Sequence, residues 1–177
     1  MNTTRDTTSD KTNTQAPMRN VIGVVAWHSV LLIIETSALI LMLYQPLPNW
    51  IKPYETALFC GIAGGFGGIV YCLRGVYLNV CVRNSWESKW IVWHIIRPVL
   101  SIICGVISFL LLKAGLILLD ASPNPDNNYY GFYMFAFVAG LNVDKFLQKI
   151  EDIAQTTWGI DKTRAGKDSS KDDAKRE

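Results

Sequence analysis

Apolar residues run almost unbroken through four stretches of the chain, residues 21–44, 56–82, 98–119 and 129–143, and polar residues gather between and beyond them. A hydrocarbon core of ~30 Å asks for roughly 20 apolar residues per helix. The first and third stretches meet that length. The second is over-long and interrupted by Arg74, and the fourth is short and has to begin in the interface. The pattern predicts an all-α integral membrane protein with four transmembrane helices, not a soluble core. Beyond residue 143, Phe146, Leu147, Ile150, Ile153, Ala154 and Trp158 keep an apolar stripe at helical spacing, opposite Lys145, Lys149, Glu151 and Asp152, until Gly159. The fourth helix is therefore expected to run out of the membrane as a cytosolic amphipathic helix over residues 144–160. Its stripe has to be covered, either by neighbouring copies in a parallel bundle or by the membrane surface.

The connections carry their own signals. Pro46 and Pro48 stop the first helix, and Trp50 and Tyr54 follow as interfacial rings. In the segment 84–96, Asn84 or Ser85 can cap a short helix, and Trp86, Trp90, Trp93 and Arg97 recur at helical spacing beside Lys89 and His94. That reads as a helix lying in the interface, with Arg97-Pro98 marking the turn into the third span. The loop Asp120-Ala121-Ser122-Pro123 and onward is acidic and turn-forming. Residues 1–20, rich in Thr and Asn, and 161–177, where Lys, Asp, Gly and Ser alternate, read as disordered tails around a transmembrane domain at 21–143.

Charge sets the expected orientation. Of the 17 Lys and Arg residues, all but Lys52 and Lys113 fall on one side of the membrane that these stretches draw. Basic residues resist translocation, so short cytoplasmic loops keep them. Both termini are expected in the cytosol.

Intramembrane polar residues are the candidate site. A carboxylate within a span is costly unless paired or wetted, so Glu35, ~21 Å into the first span by the helical rise, is the first candidate for a pathway. Lys113, ~22 Å into the third span by the same rise, is level with it on that count and is its candidate counter-charge. His28 lies seven residues before Glu35, on the same helical face, where the pair could relay protons, although a hydrogen-bonded structural histidine is the simpler role. Ser101, Gly105 and Ser108 form a small strip on the third span that suits tight packing or a wet lining. Gly61, Gly64, Gly65 and Gly68 form a face that lets a neighbouring backbone approach.

Arg74, Arg83, Lys89 and Arg97 ring the inner mouth. Contact with anionic lipid accounts for such a ring, and so does an anionic nucleotide or oligonucleotide docking among the tryptophans. Cys60, Cys72, Cys81 and Cys104 have no C-x-x-C pair and read as small buried hydrophobes, so no disulfide framework, metal site or cofactor is expected. No phosphate-binding loop, G-x-S-x-G, H-E-x-x-H or dinucleotide fingerprint is present, and an enzyme is not expected.

Three segments, GGFGGIVYCLRGVYLN, WIVWHIIRPVLSIICGVISFLLLKAGL and FVAGLNVDKFLQKIEDI, carry a resemblance. They resemble small four-span bacterial membrane proteins of anti-phage defence loci, among them the channel effector of the Hailong system. The resemblance implies a bacterial inner-membrane pore, assembled from identical subunits and controlled by a nucleic-acid oligomer. The resulting expectation is a homo-oligomeric ion channel gated from the cytosolic side, with the lipid bilayer and further copies as partners. Two other classes stay open. One is a small multidrug-type or ion transporter with its essential glutamate in the first span. The other is a holin-like or scaffold protein in which Glu35 and Lys113 merely pair.

Overall fold

The computed structural model describes residues 9–45, 47–115 and 128–160, and among these all regular structure is helical. Three helices are long and apolar enough to cross a membrane: Met18–Tyr44, within the longer helix α1 (Ser9–Tyr44), a second over Lys52–Val82, and α3 (Trp90–Lys113). The second comprises a 3-10 turn Lys52–Tyr54, α2 (Glu55–Tyr77) and a π-turn Leu78–Val82. A shorter apolar helix, α4 (Asn128–Leu141), is followed by the amphipathic α5 (Val143–Trp158). The tail from Asp161 and most of the acidic loop lie outside the described residues.

The architecture has α2 at its centre, between α3 and α4, because its glycines leave room on more than one side. A Cβ at Gly64 would fall 2.9 Å from Gly105 Cα of α3, and one at Gly140 of α4 would fall 2.7 Å from Gly64 Cα. Gly67 faces the α4 backbone at Phe137 and Leu141, and Gly68 faces Ser101. Backbones at such separations pack by dispersion alone, which serves in lipid, where burying apolar surface gains nothing. Ser101 and Ser108 are buried within this seam. The Ser101 hydroxyl contacts the Arg97 carbonyl oxygen at 2.9 Å and that of Gly140 at 3.0 Å, and Ser108 donates to Gly105 at 2.7 Å. The Ser101 contact joins α3 to α4, whereas the Ser108 hydroxyl is satisfied within α3 itself.

Helix α1 packs along one narrow stripe, Val21, Val24, His28 and Glu35, while Ile22, Val25, Val30, Ile33, Ile34, Leu41 and Leu43 are exposed. A helix apolar all round suits lipid or another subunit.

Four sequence expectations need correction. Residues 9–20, expected as part of a disordered tail, are continuous with α1 as helix, with Pro17 inside it, and residues 1–8 lie outside the described residues. The third helix starts at Trp90 and carries Pro98 inside it, so the chain does not turn there. Pro98 has no N–H for the His94 carbonyl, but its ring side lies against α2, with its Cα 3.5 Å from a Cβ placed at Gly68. Asn84 caps no helix start; at φ 47° it adopts the left-handed conformation that ends the π-turn. Finally, α4 does not continue straight. Asn142 leaves helical geometry at φ −121°, ψ 52°. In a straight helix Phe135 and Phe146 would stand ~16 Å apart, yet their ring centroids are 6.1 Å apart. The bend folds the first turn of α5 back onto α3 and α4, where Val143 and Phe146 are buried with Cys104 and Ala139. Gly159, at φ 67°, closes α5 as expected from the sequence.

Candidate functional site

A groove of about 410 Å³ opens where α2 ends and α3 begins, lined by Tyr71, Arg74, Leu78, Arg83, Trp90 and Trp93 among others. The π-turn shapes one wall: Arg83 N–H reaches the Leu78 carbonyl at 2.9 Å, widening the helix so that Leu78 and Asn79 both face the opening. Arg74 and Arg83 are both exposed here. Cationic forks beside flat indole rings form a surface on which an anionic, ring-bearing ligand can pair and stack.

Arg97 is not part of that basic rim. It is fully buried, with its guanidinium carbon 4.1 Å from the Tyr71 ring centroid and 4.8 Å from that of Trp93, beneath two groove residues. Nη1 donates to Asp144 Oδ2 at 2.8 Å and Nη2 to the Leu141 carbonyl at 3.4 Å. A buried guanidinium needs such a partner, and here the partner carboxylate is itself exposed at the surface. The groove is thus connected through Arg97 to the bend and first turn of α5. Lys89 is engaged in an exposed pair with Glu87. The four basic residues that the sequence groups together therefore separate into a groove pair, a buried strut and a surface pair.

Behind the groove wall lies a second, buried cluster. His28 of α1, Cys72 of α2 and His94 of α3 are all buried, and one donor atom from each lies within 4.8 Å of the others. His28 Nδ1 is 2.7 Å from the Val24 carbonyl. A carbonyl only accepts, so that nitrogen carries the proton and Nε2 carries the lone pair. His28 Nε2 and His94 Nδ1 are buried without a hydrogen-bond partner, each an expense of about 1–3 kcal/mol. Trp86 stacks on His94 at 5.5 Å and also packs against the buried Val21, Val24 and Val76. Sequence reasoning singled out His28 but not Cys72 or His94. The three come from separate helices, so no spacing could reveal them; the one available signal was a histidine and a cysteine in otherwise apolar runs.

Farther along the same stripe of α1, Glu35 is buried against α2 at Gly65, where only the missing side chain makes room for the carboxylate. Its Oε2 has no partner. Lys113 is elsewhere. It is exposed at the last turn of α3, over the Phe109 ring, in a cleft of about 540 Å³ shared with Lys52, Glu55 and Tyr133. Glu55 and Gly65 are ~15 Å apart along α2 by the helical rise, so the two charges are not level. The sequence count misplaces Lys113 because it starts the third span at Pro98, whereas α3 starts at Trp90.

No family model matches this chain, and no curated protein or solved structure matches it.

Proposed function

We propose that this chain is a four-span inner-membrane protein with both termini in the cytosol, and that copies of it assemble into an ion channel opened from the cytosolic face. The observation that carries this reading is Glu35, a buried carboxylate on an apolar helix with one oxygen unpartnered and, among the described residues, no ion pair. Ionisable groups at membrane depth mark conduction or transport paths because their desolvation is otherwise unrewarded. The path does not run through α2, α3 and α4, whose backbones are in contact. It runs along the seam of α1 and between subunits, where α1 has apolar faces to spare. Orientation is supported by Arg74, Arg83, Lys89 and Arg97 gathering at the end that also bears α5. The short α4 (14 residues) spans only ~21 Å, and α5, bent beside it, lies at the inner interface with its apolar face toward lipid.

The groove supplies the trigger. Arg74, Arg83, Trp90 and Trp93 suit a nucleotide or oligonucleotide, and Arg97 passes its presence to α5. An anti-phage role in a bacterial host is the biological setting that the sequence resemblance adds.

A second reading gains from the same geometry. With Lys113 beside Glu55, ~15 Å along α2 from the Gly65 level by the helical rise, Glu35 is free to bind a cationic substrate as in a small multidrug-type carrier. A scaffold without a path loses its motive, since Glu35 and Lys113 form no ion pair. Single-channel recording of the purified protein in planar bilayers, with Glu35→Gln beside it, separates these. Discrete conductance steps whose size or cation selectivity changes in the variant are expected. Electrical silence with and without added oligonucleotides, together with Glu35-dependent uptake of a cationic dye into vesicles, would move the assignment to a carrier.

A further inference from the structure

We propose that His28, Cys72 and His94 bind a single thiophilic metal ion that fastens α1 to α2 and α3. Their donor atoms already lie within 4.8 Å of one another. Bound zinc has N and S donors at about 2.0–2.3 Å, which puts tetrahedral donors ~3.3–3.7 Å apart, so closure asks for side-chain shifts of ~1 Å. The tautomer is set for it. His28 donates Nδ1–H to the Val24 carbonyl at 2.7 Å, which leaves a lone pair on a buried Nε2 with no partner. Backbone carbonyls hold metal-binding imidazoles in this way. His94 Nδ1 is likewise buried and unpartnered, and the stacked Trp86 limits its ring rotation. Without a metal, the Cys72 thiol could donate its one proton to one of these nitrogens and leave the other bare. An ion satisfies both.

Chemistry narrows the ion. Two imidazoles and a thiolate are a soft donor set that selects copper(I) or zinc over magnesium or calcium. On binding, Cys72 loses its thiol proton to solvent and the S–metal bond replaces S–H. Copper(I) with one thiolate is then neutral and closed at three ligands, which suits three donors that are all buried near the apolar Val21, Val24 and Val76. Zinc would leave a net positive charge and call for a fourth ligand, and among the described residues the His, Cys, Asp and Glu cluster holds three. The ion is therefore assigned as copper(I). Because His94 also lines the groove, occupancy sets the position of a groove wall as well as of α1.

The experiment is titration of the full-length, metal-free protein in detergent with copper(I) against a competing chelator, and separately with zinc. Copper is expected at one ion per chain. Cys72→Ala and His28→Gln should weaken binding by more than the roughly 10–100-fold that loss of an outer-sphere partner costs, while Cys81→Ser, which removes an exposed thiol, leaves it unchanged. X-ray absorption at the copper edge of the unmutated protein reads the ligand set directly and does not depend on how the variants fold; one sulfur and two imidazole nitrogens are expected. Binding unaffected by Cys72→Ala, or a sulfur-only coordination shell, would overturn the site. Zinc held in preference to copper through the same residues would overturn the assignment to copper.

Discussion

Gly140 and Gly23 show how differently one residue type can matter in this chain. A Cβ on Gly140 meets the Gly64 carbonyl oxygen and carbon, all of it backbone, whereas a Cβ on Gly23 meets nothing within 4 Å. Gly140→Ala should therefore force α4 away from α2 and destabilise the protein by about 1–3 kcal/mol, the usual range for overpacking. Gly23→Ala should be neutral or slightly stabilising, because alanine is the better helix former. Thermal unfolding in one detergent compares them, and equal midpoints would sink the argument that α2 and α4 touch through backbone. Glu35 and Gly65 belong to the same logic, since the carboxylate occupies the volume that a side chain at position 65 would fill.

Among the elements, α5 is the one whose placement rests on few contacts. Phe146, with its ring 6.1 Å from Phe135, and Val143 are its buried residues, while Leu147 on the next position is 41% exposed. Phe146→Ala should release the helix from α3 and α4. Local opening made easier by ~1.4 kcal/mol raises the cleavable population about tenfold, so trypsin should cut after Lys149 roughly ten times faster in that variant. Leu147→Ala should leave the rate unchanged. If both variants are cleaved at the wild-type rate, Phe146 is not what holds α5 against α3 and α4. The amphipathic pattern of α5 was legible in the sequence, and so was its glycine stop. The bend was not, because Asn142 is neither proline nor glycine and its non-helical ψ follows from the pull of Phe146 into the α3–α4 groove.

For the whole molecule, the division that matters lies between α2, enclosed by α3 and α4, and α1, attached along a narrow stripe. Backbone amides in the middle of α2 should exchange with deuterium more slowly than those of α1 at matched depth, since local opening needs fewer contacts broken at the edge. Equal protection of the two helices in detergent-solubilised protein would contradict a loosely held α1. That looseness is what both proposals use: a helix able to shift can open a path beside Glu35, and an ion at His28, Cys72 and His94 can hold it in place.

Helical class, the apolar runs long enough to cross a membrane and the suspicion attached to Glu35 all followed from the sequence. Each depends on composition and on the fixed rise and period of a helix, which act locally. The separation of Glu35 from Lys113, the burial of Arg97 against Asp144, the folding back of α5 and the meeting of two histidines with Cys72 were decided by tertiary structure. These depend on where each helix starts, how far it slides along its neighbour and which faces meet. Glycine-mediated backbone contact sets those quantities; the glycine face of α2 is visible in the sequence, but the partner that meets it and the register at which it does so are not.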